Sequence, residues 1–173
     1  GFDELAVIPV SGQPSAVTVG AFTSDAAVDL VVASTTGNWS MNLVHRDEHG
    51  GYSVSSYRIY TSPTAVVSGD LDGDQWPDLA FIGGGPISSS DNRAIGVHLL
   101  LNDGRGGFRT AASHQAVHPA IFSEIWGSAA TGDLDRDGRL DLAFPDPNGI
   151  AAYRGDGQGN LSLIGGCGTA PTP

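Results

Sequence analysis

An internal repeat of about fifty residues is the feature that most restricts what this chain can fold into. A repeat of 20 to 50 residues is usually one supersecondary unit, and it buries its hydrophobic face only by packing against its neighbours. We therefore treat residues 1–173 as a single domain of repeat units 1–50, 51–106 and 107–159, followed by a terminal stub at 160–173. The units and the stub open on similar residue pairs at Gly1 and Phe2, Gly51 and Tyr52, Gly107 and Phe108, and Asn160 and Leu161.

An acidic loop occupies the same place in the second and third units. Residues 70–78 and 133–141 share the spacing D-x-D-x-D-x-x-x-D. Alternate residues of a tight turn direct their carboxylates inward, where each pair at 4 Å repels by about 4 kcal/mol at an effective dielectric near 20. Hard oxygen ligands in a flexible loop are typical of Ca²⁺ sites.

The spacing therefore predicts two Ca²⁺ sites. Each would use four carboxylates and the main-chain carbonyl at the seventh position of the loop. The predicted ligands are Asp70, Asp72, Asp74, Trp76 and Asp78 for one ion, and Asp133, Asp135, Asp137, Arg139 and Asp141 for the other.

The acidic loops allow two other interpretations. An EF-hand loop needs a bidentate Glu at position twelve, where this chain has Phe81 and Phe144, and no helical pattern flanks either loop. An Asp-rich exposed turn without metal remains the simple alternative. The first unit retains Asp25 and Asp29 but has Thr23 at the third position and no carboxylate at the first, so we expect no calcium there.

The hydrophobic pattern predicts an all-β fold. Short runs of small, β-branched and aromatic residues, such as 65–69, 79–83, 96–101 and 108–112, are bounded by Gly, Asp, Asn and Pro. Four antiparallel strands per unit correspond to a propeller blade. We expect a β-propeller segment of about three four-stranded antiparallel blades. Propellers typically need about 4 to 8 blades, so it would belong to a larger ring completed by further blades of a parent protein or by self-association.

These residues resemble the FG-GAP and VCBS repeats found in integrin α-subunit head domains and in many secreted bacterial proteins. The resemblance is carried by residues 69–79 and 132–142, by Gly85 and Pro86, and by the turn at 101–108, although a full Phe-Gly element is absent. It implies a calcium-binding β-propeller that is secreted or at the cell surface, in an extracellular or periplasmic setting.

Composition excludes several classes of protein. The chain has 19 acidic against 8 basic residues, a net charge of −11, and every basic residue is Arg. Nucleic-acid binding needs a basic surface, and Schiff-base chemistry needs a lysine, so we expect neither. No apolar run reaches the ~18 residues of a membrane span. The single Cys167 cannot form an intrachain disulfide.

Other candidate sites are weaker. The tripeptide at residues 154–156, Arg-Gly-Asp, has the sequence of an integrin-binding motif. Asp156 aligns with Asp47 and Asp103 in a turn between strands, however, and this position favours a structural role. His114 and His118 lack a helix and a third ligand for zinc, and Glu124 lacks a partner for acid-base catalysis. We therefore expect no enzymatic activity. Insertions at 83–96 and 112–126, the second with Phe122 and Trp126, are candidate binding loops.

The sequence thus predicts a calcium-stabilised, non-catalytic propeller module that binds a protein or glycan outside the cell. One alternative is a lectin with Trp39, Trp76 and Trp126 as sugar platforms. Another is the accessory or catalytic part of a polysaccharide-active enzyme, whose repeats belong to the same family.

Overall fold

The structure, a computed structural model, describes residues 7–25, 27–36, 39–46, 49, 51–59, 62–84, 95–115, 128–146 and 149–164. These residues form β-strands and connecting turns, and no helix. The strands are β1 Pro14–Gly20, β2 Asp29–Ser34, β3 Ser40–Arg46, β4 Tyr52–Arg58, β5 Ser62–Gly69, β6 Asp78–Gly84, β7 Ile95–Asn102, β8 Phe108–Gln115, β9 Ala130–Gly132, β10 Asp141–Asp146, β11 Gly149–Gly155 and β12 Leu161–Leu163. In the part of the chain that the structure describes, no helix has the length and hydrophobicity needed to span a bilayer.

The strands form three four-stranded antiparallel sheets, each a meander in chain order. The first sheet contains β1–β4, the second β5–β8 and the third β9–β12. The predicted all-β class with three blade-like sheets is confirmed, and the predicted runs at 65–69, 79–83, 96–101 and 108–112 lie within β5, β6, β7 and β8. Within the described ranges the sheets do not close into a ring.

The first hairpin of each sheet has the same register. An inner strand of small and β-branched residues ends in glycine, and that glycine pairs with the aspartate that begins the next strand. Because the same pair closes the hairpin each time, the connecting loop leaves and rejoins its sheet at equivalent points. The pairs are Gly20 with Asp29, Gly69 with Asp78, and Gly132 with Asp141.

The second sheet is packed on both faces. Every residue of β6 is buried, which explains why its apolar sequence does not alternate with polar residues. One face meets the first sheet through Val66, Leu79 and Phe81, and the other meets the third sheet through Ala80 and Ile82. Apolar burial on both sides makes the three sheets one packed stack.

The sequence repeat is out of phase with the sheets by one strand. Tyr52, Phe108 and Leu161, which follow the starts of the repeat units, each lie in the fourth strand of a sheet. The strand at the terminal stub pairs with β11 and completes the third sheet. Most of the 83–96 insertion and of the 112–126 segment lies outside the described residues, as do Cys167, His118 and Glu124.

Candidate metal centre

The two acidic loops connect β5 to β6 and β9 to β10. We number their positions one to nine from Asp70 and from Asp133, and number the corresponding loop of the first sheet from Ala21. Position nine is the aspartate that begins the second strand of each sheet, and it is 0% exposed in all three sheets. A charged group buried to this extent requires bonding partners.

The position-nine carboxylate joins the loop to the third strand of its sheet. Asp78 Oδ2 accepts a hydrogen bond from the Leu71 amide at 2.8 Å, and Oδ1 accepts one from the Asn102 amide at 2.9 Å. Asp141 accepts the same two bonds in the third sheet, at 2.8 and 3.0 Å. In both sheets, these bonds fix the two ends of the loop that joins the first strand to the second.

The position-one carboxylate organises the middle of each loop. Asp70 accepts hydrogen bonds from the amides of Gly73 and Gln75, at 2.7 and 2.9 Å. Asp133 accepts from the amides of Asp137 and Gly138, both at 3.0 Å. The main chain therefore curls around these carboxylates in both loops.

Three of the four predicted carboxylates come together in each loop. Single carboxylate oxygens of positions one, three and nine all lie within 4.8 Å of one another. The two groups are Asp70, Asp72 and Asp78, and Asp133, Asp135 and Asp141.

The position-five aspartates lie outside these groups and contact position seven. Asp74 Oδ1 accepts a hydrogen bond from the Trp76 amide at 2.8 Å. Asp137 Oδ1 accepts one from the Arg139 amide at 2.9 Å, and its Oδ2 lies 3.1 Å from Arg139 Nε. The hydrogen bond from the arginine side chain lowers the pKa of Asp137. The carbonyls of Trp76 and Arg139 stay predicted ligands.

Both loops have the same main-chain conformation although their sequences differ. Positions four and six have positive φ in each: 84° and 75° at Gly73 and Gln75, and 66° and 85° at Arg136 and Gly138. A left-handed conformation is strained for residues other than glycine. Each loop therefore accepts one strained residue to keep a shared path.

The cluster in the second loop is electrostatically unfavourable without a counter-charge. Burial raises the pKa of Asp78 to about 6, against the opposing effect of its two amide bonds, and the charges of Asp72 and Asp74 raise it further. Burial, with the neighbouring charge of Asp74, also raises the pKa of Asp72. A bound cation reverses this preference, because it favours the ionised carboxylates.

Arginines contact the position-three carboxylates. Arg109 Nη2 of β8 lies 3.3 Å from Asp72 Oδ2, and Arg154 of β11 forms an ion pair with Asp135. These cations offset part of the repulsion among the three carboxylates that come together in each loop.

The first loop has a histidine in contact with its remaining acids, a feature that the sequence reasoning missed. His45 of β3 places Nδ1 2.7 Å from Asp29 Oδ1 and Nε2 3.3 Å from Asp25 Oδ2. Thr23 Oγ1 lies 2.9 and 3.2 Å from oxygens of the same two aspartates. The strand register would have revealed this contact, because His45 and Arg154 occupy the same position on the third strands of their sheets.

The turn between the third and fourth strands links each sheet to the preceding one. The Gly106 amide, in the second sheet, donates to the Phe22 carbonyl at 3.1 Å, and the Gly159 amide, in the third, donates to the Leu71 carbonyl at 3.0 Å. Phe22 and Leu71 both stand at position two of a first-hairpin loop. The acidic loop of the second sheet is therefore part of the interface with the third sheet.

The arginine-glycine-aspartate tripeptide runs from the end of β11 into this turn, where Asp156 lies as predicted. Asp156 Oδ1 accepts hydrogen bonds from the amides of Gln158 and Asn160, at 2.8 and 3.0 Å. Asp103 accepts the equivalent bonds from Arg105 and Gly107 in the second sheet, at 2.8 and 2.9 Å. The aspartate stabilises the turn in both cases.

Two of the aromatic residues considered as sugar platforms, Trp39 and Trp76, are described by the structure, and both are partly buried. The Trp76 indole lies over Gly104, where a Cβ would meet its ring at 2.3 Å. Trp39 packs against the core between the first and second sheets. Phe122, Trp126 and the side chain of His114 lie outside the described residues.

Comparison with known families identifies the central part of the chain. A family model for the FG-GAP-like repeat matches residues 70–144, from the first aspartate of the second sheet's acidic loop to Phe144 in β10. Residues 70–144 are therefore similar to an FG-GAP-like repeat, in agreement with the resemblance noted in the sequence. No curated protein matches the chain.

Proposed function

We propose that this chain is a calcium-stabilised, non-catalytic β-propeller module that binds another macromolecule outside the cell. The observation that carries the proposal is the pair of acidic loops, each of which brings three carboxylate oxygens within 4.8 Å of one another. Their shared main-chain path at positions four and six supports a common ligand, since unrelated Asp-rich turns would have no reason to share two positive-φ positions.

The donor set fits Ca²⁺. This ion takes 6 to 8 oxygen ligands in flexible geometry, and carboxylates and main-chain carbonyls are its usual protein ligands. Asp70, Asp72 and Asp78 would hold one ion, and Asp133, Asp135 and Asp141 the other. The position-five aspartates and the carbonyls at position seven would supply further oxygens.

An ion in the second sheet's loop would also stabilise the packing of two sheets. The Leu71 carbonyl of that loop accepts the Gly159 amide of the third sheet. Fixing the loop therefore fixes the acceptor for the neighbouring sheet. We infer a structural role for calcium, in which the ion adds rigidity to a binding scaffold and takes no part in chemistry.

The proposed extracellular location agrees with the calcium affinity that is usual for extracellular modules. Extracellular calcium modules have dissociation constants of about 0.1 to 1 mM. At about 1 mM Ca²⁺ each site would then stabilise the fold by about 0.4 to 1.4 kcal/mol, whereas cytosolic calcium would leave such sites empty. The family resemblance to secreted and cell-surface proteins supports the same location.

The two tryptophans that the structure describes do not support the lectin alternative. A sugar platform needs an aromatic face open to the ligand, but Trp39 packs against core residues and Trp76 lies over Gly104, while the third candidate, Trp126, lies outside the described residues. A catalytic role is disfavoured because the densest groups of carboxylates are bonded to loop amides and would be committed to metal.

Calorimetric titration of calcium tests this proposal. We expect two ions per chain at pH 7, one ion for Asp72→Asn, one for Asp135→Asn and none for the double variant. Asp25→Asn, in the first loop, is the matched control and should retain two ions. Absence of binding to the unaltered chain at millimolar calcium, or loss of an ion in the control, would contradict the proposal.

A further inference from the structure

We propose that Arg154 competes with calcium for the acidic loop of the third sheet, so that the two calcium sites fill at different calcium concentrations. The loop of the second sheet would fill first. The loop of the third sheet would fill as calcium displaces Arg154 from Asp135. The inference rests on the proposed function and deepens it, because it names the residue that sets the affinity of one of the two sites.

The third strands place a different residue beside each first-hairpin loop at the same register position. In each sheet this residue follows the one that pairs with the leucine after the position-nine aspartate, and it is His45, Leu101 and Arg154 in turn. His45 contacts the two aspartates of the first loop, and Arg154 forms an ion pair with Asp135. The position therefore offers nitrogen donors to the carboxylates in the first and third sheets, whereas in the second sheet it is apolar.

Leu101 gives the loop of the second sheet no cation from this position. Its side chain is 1% exposed and lies under the third sheet, where a Cβ on Gly159 would meet Leu101 Cδ1 at 2.7 Å. The arginine contact of this loop comes from the neighbouring fourth strand, where Arg109 pairs with Leu101 and places Nη2 3.3 Å from Asp72 Oδ2. The Arg109 side chain is 69% exposed against 51% for Arg154, so water screens its attraction more.

The loop of the third sheet also carries more positive charge of its own. Residues 70–78 contain four aspartates and no basic residue, whereas residues 133–141 contain four aspartates and two arginines. One of these arginines, Arg139, donates from Nε to Asp137 at 3.1 Å. The Arg139 side-chain hydrogen bond lowers the pKa of Asp137, and the charge of Arg154 adds to this effect. Two of the four predicted carboxylate ligands thus have cationic partners before calcium is added.

The carboxylate of Asp135 is the point at which the two cations compete. Asp135 is one of the three aspartates whose oxygens lie within 4.8 Å of one another, and it is also the partner of Arg154. A divalent ion held by this group and a guanidinium on the same carboxylate repel each other, and the repulsion grows as less water lies between them. The Asp135 side chain is only 23% exposed. Calcium must therefore displace Arg154 or bind against its charge, and either weakens the site.

Packing favours the same order of filling. The Leu71 carbonyl of the second sheet's loop accepts the Gly159 amide, and Leu71 is 3% exposed. Leu134, at the same position of the third sheet's loop, is 56% exposed. A loop that is fixed before its ligand binds loses less conformational freedom on binding. The loop of the second sheet is therefore the better prepared of the two for an ion.

Calorimetric titration of chains with one intact site tests the competition. Asp135→Asn leaves the site of the second sheet and Asp72→Asn leaves that of the third, and the dissociation constant should be at least about 3-fold lower for the second sheet. In the Asp72→Asn chain, Arg154→Leu copies the residue of the second sheet and should lower the dissociation constant of the third site at least about 3-fold. Arg154→Lys keeps the charge and should change it less than about 2-fold.

The matched control removes a positive charge from the sheet in which no calcium is expected. Arg46 is exposed at the end of the third strand of the first sheet. Arg46→Leu should leave both dissociation constants within about 1.5-fold of their original values. A change as large as that of Arg154→Leu would show that net charge alone sets the affinity, and would overturn the inference.

Thermal unfolding separates competition from a purely structural role of Arg154. With a chelator present, Arg154→Leu should lower the melting temperature by about 0.5 to 4 °C, because the ion pair with Asp135 is lost. The rise in melting temperature on adding calcium should nevertheless be larger than in the unaltered chain. A purely structural arginine would give the first effect without the second.

The outcomes distinguish this inference from the calcium proposal. A third site that binds as tightly as the second, or that is unchanged by Arg154→Leu, would overturn the inference and leave the calcium proposal standing. An unaltered chain that binds no calcium, with an Arg154→Leu chain that binds one ion, would support the competition and contradict the proposed two-ion function. Absence of binding to both chains at millimolar calcium would overturn both.

Discussion

His45 is the side-chain partner of the two carboxylates that remain in the first loop. In the first loop the carboxylates of positions five and nine face the two nitrogens of its imidazole ring. Both nitrogens can donate to carboxylates only when the ring is protonated, and the side chain is then a cation. The loop that lacks two acidic positions thus has an imidazole ring in contact with the two carboxylates that remain.

Replacement of His45 by Ala should destabilise the chain by about 1 to 3 kcal/mol, because the buried Asp29 carboxylate loses a close partner. His45→Gln, which can still donate one hydrogen bond, should lose less. Urea unfolding at constant calcium measures the free energies, and calorimetry should still count two bound ions. A loss below about 0.3 kcal/mol for His45→Ala would show that the contact with Asp29 contributes little.

The acidic loops are the elements in which sequence and structure differ most in detail. Spacing alone predicted that the aspartates converge, and the carboxylates of positions one, three and nine do so. Spacing could not place position five, because the amide of position seven offers Asp74 and Asp137 a local hydrogen bond. The contact of His45 was also hidden, since it depends on strand register and on a residue sixteen positions from Asp29.

The shared loop conformation predicts that Gln75 and Arg136, which have positive φ, are strained. Gln75→Gly and Arg136→Gly should each raise the free energy of unfolding by up to about 1 kcal/mol, since glycine adopts positive φ without steric cost. Gly138→Ala is the matched opposite and should lower the free energy of unfolding by about 1 kcal/mol through the main chain alone, because no atom lies within 4 Å of the added methyl group. Thermal or urea unfolding measures all three, and destabilisation by both glycine variants would contradict the strained assignment.

The part of the molecule that the structure describes is a stack of three sheets, in which the second and third sheets each contact the preceding sheet through a turn and an inner strand. The sequence predicted the strand content and the number of sheets, because runs ending in glycine and followed by an acidic loop mark each first hairpin. The second and third repeat units and the terminal stub begin at the fourth strand of a sheet, since an amino-acid repeat has no intrinsic start. The contacts between sheets could not be predicted, because main-chain carbonyls such as those of Phe22 and Leu71 leave no signature in the sequence.

Thermal unfolding with and without calcium tests the central claim most directly. At about 1 mM Ca²⁺, two sites of about 0.4 to 1.4 kcal/mol each should raise the melting temperature by about 2 to 11 °C over that of the chelated chain. The Asp72→Asn, Asp135→Asn double variant should melt at the same temperature in both conditions. Equal melting temperatures for the unaltered chain with and without calcium would contradict the account.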